Sequence, residues 1–187
     1  MGCELRALWP IEEGEEITIS YGPGSERREE RQRLMKAKYD FQCKCPACVL
    51  PKNASDKADQ ERAKLAIRYE WKVKQQSVDI ELEEVERWAK DLSQPSDVLI
   101  KEYLGVVEAM GREQYGQADL FSRCSTLLCA TYLALDNLEE AKRWAKKAYR
   151  MMVVERGEMG AVEMKSTYDC PEASELLGKF WKMRPSK

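Results

Sequence analysis

The sequence predicts a mainly α-helical chain. A short β-hairpin opens it, a cysteine-bearing turn follows, and a helical bundle of tetratricopeptide-like packing takes up the remainder. Three observations carry that prediction. From Val78 onward apolar residues recur at spacings of three and four. The run Ile17-Thr18-Ile19-Ser20 is β-branched and follows a glycine-centred turn signal. Cys43, Cys45 and Cys48 crowd one short stretch, KYDFQCKCPACVLP, of a chain that has no histidine.

Taken in order, residues 4–21 (ELRALWPIEEGEEITISY) predict two short strands joined at Gly14, with Glu15 and Glu16 leading into the second. Gly22-Pro23-Gly24 ends that unit, because it can continue neither strand nor helix. Ser25 is the predicted N-cap of a basic helix, ERREERQRLMKAKY, anchored by Leu34, Met35 and Tyr39. After the cysteines, LPKNASDKAD has the composition of a polar linker. Val78, Leu82, Val85, Ala89 and Leu92 then form one apolar stripe, with Pro95 as a stop. Ile100, Tyr103, Val107 and Met110 form a second, ending near Gly111. Phe121, Cys124, Leu128 and Leu135 mark a third helix, and Leu138, Ala141, Ala145, Ala148 and Met152 a fourth. Asn137 with Glu140 resembles a capping box for the fourth, so these two predict an antiparallel hairpin. A last helix follows Pro171, anchored by Leu176, Leu177, Phe180 and Trp181. The units expected are therefore 1–24, 25–51 and 52–187.

Length and charge bound the partners. The chain has 187 residues, 43% apolar and 34% charged, with a formal net charge of −2. That balance gives no strong nucleic-acid signal and none for an anionic membrane. No apolar run approaches the roughly 20 residues of a bilayer span. Met1-Gly2 opens the chain, but Arg6 stands where a myristoylation signal wants Ser or Thr. Seven cysteines make an odd count, a poor fit to a closed disulfide framework. Cys124 and Cys129 sit in LFSRCSTLLCATYLAL, as buried reduced thiols would. A reducing compartment, cytosol or nucleus, is the expectation.

The cluster Cys43-Lys44-Cys45-Pro46-Ala47-Cys48 has the two-residue gap of zinc knuckles, which lets thiolates converge from one tight turn. Buried inert thiols and a redox pair are the competing readings. The polar setting argues against the first, and the lack of a strand–helix context of thioredoxin type against the second.

The order GEEITISYG, then ERQRLMKAKYDFQCKCPAC, resembles the end of a SET domain followed by its post-SET zinc turn, closest to the SET/MYND type and its fungal relatives. The resemblance covers about the first 50 residues; the helical remainder is similar in style to that family's C-terminal domain. It implies an S-adenosylmethionine-dependent protein-lysine methyltransferase. Tyr21 and Tyr39 would be the catalytic channel tyrosines, Phe41 the aromatic on the cofactor's adenine, and Cys43, Cys45 and Cys48 three of four Zn2+ ligands. In the family the fourth ligand comes from an upstream NHSC-like segment that also helps bind the methyl donor. Neither that segment nor the family's Gly-rich motif is in this sequence, and Cys3 is not at the ligand position. The expectation is thus the C-terminal part of a longer protein, inactive as an isolated chain and holding at most one zinc weakly. Its partners would be a protein lysine substrate or peptide, and the N-terminal SET half.

Without the resemblance each aromatic has a plainer role. Tyr21 would pack at a strand end, Tyr39 and Phe41 would cover the cysteine turn, and the basic helix would be a solvated face. The alternative function is a non-catalytic, tetratricopeptide-like module that binds a peptide between helical hairpins.

Overall fold

A computed structural model of the chain describes residues 7, 11–17, 21, 26–65, 78–112 and 118–185. Its described elements are all helical: α1 (Arg28–Tyr39), α2 (Pro46–Val49), α3 (Lys52–Leu65), α4 (Val78–Lys90), α5 (Val98–Arg112), α6 (Ala118–Ala134), α7 (Leu138–Arg156), α8 (Val162–Asp169) and α9 (Glu175–Phe180), with short 3-10 turns at Glu158–Ala161 and Pro171–Ala173. Among the described residues no helix is long and apolar enough to cross a membrane.

The expected β-hairpin is corrected by this structure: among the described residues there is no strand. Residues Glu12 to Glu15 do form the anticipated turn. The Glu15 N–H donates to the Glu12 carbonyl at 3.1 Å, and Gly14 holds a φ of +85° that a side chain would strain. What flanks the turn is irregular, and residues 18–20, which carry most of the β-branched run, lie outside the described set. The physical reason is burial. Ile17 is 77% exposed, with no apolar face covering it among the described residues, and β-propensity acts only where a strand has a partner to pack against.

Two further expectations change. Leu50 to Asp59, read as a linker, mostly belongs to α3, which packs on α1 and α2. Helix α1 starts at Arg28, and its N-cap Arg27 makes no side-chain cap; Ser25 lies outside the described residues. The first free N–H of α1 is satisfied instead by Asp59 of α3, at 2.8 Å.

From Val78 onward the bundle is built around α6. Leu120, Cys124, Leu127, Leu128, Cys129, Ala130, Leu133 and Ala134 are all buried, so this helix is covered on nearly every side. Of its buried hydroxyls, Thr126 donates to the Ser122 carbonyl at 2.9 Å and Thr131 to that of Leu127 at 2.7 Å, whereas the buried Ser125 hydroxyl has no hydrogen-bond partner among the described residues. Burial pushes the Cys124 thiol up to about 12 and that of Cys129 higher still, as inert core thiols. Helix α7 returns antiparallel. The Asn137 side chain accepts from the Glu140 N–H at 3.2 Å at one end, and Ser122 reaches Glu155 at 3.3 Å at the other. Ala130 and Ala134 on α6, with Ala141, Ala145 and Ala148 on α7, are fully buried, which lets the two backbones approach closely.

Helices α4, α5 and α9 pack on the remaining sides of α6, and α8 packs on α7. Glu81 and Arg123 tie α4 to α6 through a largely buried ion pair of 2.9 Å. On α5 the buried line is Leu99, Tyr103, Val106 and Met110, one residue off the sequence-predicted stripe at two of its four positions.

Candidate metal centre and its aromatic neighbours

Helix α1 organises the cysteine turn. Residues 28, 31, 32 and 35 share one face of it, and Met35 on that face is buried. The Gln32 amide makes a two-point contact with the backbone of Cys43, donating to its carbonyl at 2.7 Å and accepting from its N–H at 3.1 Å. Arg28 donates to the Leu50 carbonyl at 2.8 Å. One helix face thus holds both the entry and the exit of the turn.

Between those points the chain folds on itself. The N–H groups of Cys48 and Val49 donate to the Cys45 carbonyl at 2.8 and 3.1 Å, starting α2 with Pro46 in its first turn. The three Sγ atoms of Cys43, Cys45 and Cys48 converge within 4.8 Å of one another. Two sulfurs on one tetrahedral zinc, each bonded at about 2.3 Å, stand about 3.8 Å apart, so these residues fit three corners of such a site. Among the described residues no other Cys, Asp or Glu joins the group, and Cys3 lies outside them.

The electrostatics differ from sulfur to sulfur. Burial works against ionising Cys45, yet hydrogen bonds from the Cys43 thiol and from the N–H groups of Cys48 and Ala47 hold it below the ordinary thiol range. Burial pushes Cys48 up to about 11, with the Arg31 guanidinium pulling the other way. That guanidinium lies 3.9 Å from the Cys48 sulfur through Nη2, while its Nη1 faces Asp59 at 3.5 Å. Asp59 is also bound by the Arg62 guanidinium and by the Arg28 N–H.

Tyr21, Tyr39 and Phe41 come together as an aromatic trio. Asp40 ends α1 with a left-handed φ of 56° and its N–H on the Lys36 carbonyl, which turns the chain so that Phe41 returns beside Tyr39. Ring centroids are 5.0 Å apart for Tyr21 and Tyr39, 5.4 Å for Tyr21 and Phe41, and 6.4 Å for Tyr39 and Phe41. The first two contacts are edge to face, the geometry aromatic quadrupoles favour. Tyr21 and Tyr39 remain 49% and 48% exposed, so the trio is one open wall.

Gln32, Arg28, Arg31 and Asp59 were not anticipated. The spacing that puts Arg28, Arg31 and Gln32 on the face of Met35 is a legible signal, masked by the reading of α1 as a solvated basic helix. Asp59 gave no signal, because its partners are remote in sequence.

Asp59 also makes the unit acid-sensitive. Burial alone would raise its carboxyl, but the Arg28 N–H, the Arg62 hydrogen bond and charge, and the Arg31 charge hold it below the ordinary carboxylate range. A lowered folded-state pKa contributes stability that is present above the unfolded value of about 3.9 and is lost as pH falls through the folded value. Acidifying the chelator-treated chain from about pH 5 toward pH 2 should therefore weaken the packing of α1–α3, read as faster hydrogen exchange. Asp59→Asn should remove most of that step; an unchanged acid profile would mean that the carboxylate does not hold these helices.

Two curated proteins align with part of this chain. Histone-lysine N-methyltransferase Smyd1 of Mus musculus and SMYD1 of Homo sapiens are each 50% identical to it over 48 residues, which is 26% of this chain and 10% of each relative. The chain thus spans about a tenth of the length of the curated relatives it matches. That partial identity relates the stretch to a SET/MYND methyltransferase, and the three-cysteine group accords with it. No protein-family model matches the chain, and no solved structure matches it.

Proposed function

We propose that residues 21–48 form the zinc turn and one aromatic wall of an S-adenosylmethionine-dependent protein-lysine methyltransferase site. The observation that carries this reading is the convergence of three cysteine sulfurs on the same helix-and-turn unit that gathers Tyr21, Tyr39 and Phe41. The partial identity to histone-lysine N-methyltransferases supports it.

The residues divide the work as follows. Cys43, Cys45 and Cys48 would hold zinc, and zinc would fix the turn that carries Phe41 against Tyr39. S-adenosylmethionine supplies the electrophilic methyl group. Phe41 would pack on its adenine, and the hydroxyls of Tyr21 and Tyr39 would orient a lysine amine. That amine has a pKa near 10.4 in water and attacks only when neutral, so a dry aromatic lining favours the reactive form. A half-exposed wall is not a channel. The remaining lining is assigned to an N-terminal SET half, and the isolated chain is expected neither to bind the methyl donor nor to transfer methyl groups. Reduced thiols suit cytosol or nucleus.

A chimera tests this directly. Residues 1–51 of this chain would replace the corresponding segment of mouse Smyd1, and methyl transfer to histone lysine would be followed. The chimera should bind zinc and transfer methyl groups, and Tyr21→Phe within it should lower kcat about 100-fold, the scale of one lost positioning hydrogen bond. A folded, zinc-loaded chimera without transfer, or one indifferent to Tyr21→Phe, would overturn the reading. Peptide binding by the chain, together with a folded, zinc-loaded chimera that transfers no methyl group, would point to the non-catalytic module instead.

A further inference from the structure

Helix α3 contributes no metal ligand, yet it reaches the cysteine turn through two charged side chains. Asp59 sits at a junction. Its Oδ2 accepts the Arg28 N–H at 2.8 Å, and its Oδ1 faces Arg31 at 3.5 Å and the buried Arg62. Arg31 carries the contact onward, its Nη2 standing 3.9 Å from the Cys48 sulfur. Its Nη1 also donates to the Glu26 carbonyl, so the guanidinium plane is fixed from one side. Arg31 and Asp59 are both nearly covered, where water screens a charge poorly.

We propose that Asp59 and Arg31 are positioning residues of the metal turn: Asp59 aims the Arg31 guanidinium at the Cys48 sulfur, and α3 thereby sets how tightly the thiolates hold a thiophilic divalent cation. This inference rests on the reading of the cysteine turn as a metal site. The chemistry follows from the charges. Three thiolates around a dication leave an excess of negative charge, and a cation donating N–H to one sulfur offsets it. Arginine suits the role because its rigid fork addresses a carboxylate and a sulfur at once, whereas lysine offers a single point charge. Partners of this kind around metal ligands commonly change affinity by about 10–100-fold when removed.

The test uses the full 187-residue chain with zinc and with cobalt. Zinc affinity is read by competition with a chromophoric chelator, and the energy of the thiolate-to-cobalt charge-transfer band is read by absorption. Arg31→Lys and Asp59→Asn should each weaken zinc about tenfold. Each should also shift the charge-transfer band, which a loss of fold stability alone would not move. In the double variant the two losses should not add, because both break one relay. Additive losses, or an unshifted band in both single variants, would overturn the inference while leaving the metal site standing. If Asp59→Asn fails to fold, Arg31→Lys alone decides through its band and affinity. A wild-type chain that takes up neither ion would remove the metal reading itself, and the relay with it.

Discussion

Cys48→Ser should lower the zinc affinity of the chain by roughly a hundredfold or more. Structural zinc sites contribute about 10–16 kcal/mol through four ligands, so one ligand carries about 3 kcal/mol, and a hydroxyl is a poor substitute for a thiolate. The site makes this variant the clearest choice of the three. Cys48 is buried under α1 beside Arg31, and serine fits its space without disturbing the Cys45 carbonyl hydrogen bonds that start α2. Chelator competition measures the loss, with Cys170→Ser as control, because Cys170 is exposed and bonded only locally to Glu172. Equal zinc binding by Cys48→Ser and the parent would exclude Cys48 as a ligand.

Arg184→Ala should destabilise the helical bundle by about 3 kcal/mol, since hydrogen bonds to charged groups contribute about 1.5–3 kcal/mol each and do not add fully. The side chain is 5% exposed and gathers the loop after α4. It donates to the carbonyls of Trp88 at 2.6 Å and Asp91 at 3.0 Å and to that of Gln94, and its guanidinium stands 4.6 Å from the Trp88 ring centroid. The same residues dock the end of the chain on α6, the Lys182 and Arg184 N–H groups donating to the Leu133 and Ala134 carbonyls at 3.1 and 2.9 Å. The Trp88, Leu133 and Ala134 carbonyls belong to the last turns of α4 and α6, where a cation is favoured. The melting temperature should fall by about 6–12 °C for a chain of this size. Arg184→Lys should recover only part of it, for want of the fork. A melting point within a degree or so of the parent would show that the tail is not a strap.

How far the sequence revealed this molecule depends on whether a feature is local. The apolar stripe of α4 as far as Ala89, those of α6 and α7, and the Asn137 cap are set by neighbours a few residues away and match the folded chain, and the cysteine spacing does bring three sulfurs together. The Leu176 and Phe180 anchors of α9 read correctly for the same reason. Helix α8 went unseen because it is short and has no continuous stripe, although Met164 and Thr167 are buried. Leu92, placed on the α4 stripe, lies past the end of that helix and is exposed. The hairpin failed because, among the described residues, there is no sheet for it to join. The sequence singled out the three cysteines and three aromatics that the fold groups together, but not the scaffold that holds them. Gln32 grips Cys43, Asp59 caps α1, and Arg31 turns inward; each depends on a pairing that only the folded chain brings about.

The central claim is that Cys43, Cys45 and Cys48 form one metal centre, and the coordination shell of zinc in the chain purified under reducing conditions tests it most directly. X-ray absorption at the zinc edge, with metal content measured on the same sample, should show no more than one zinc per chain and at least three sulfurs at about 2.3 Å. A chain that takes up no zinc even when zinc is supplied, or a shell dominated by nitrogen and oxygen, would contradict it.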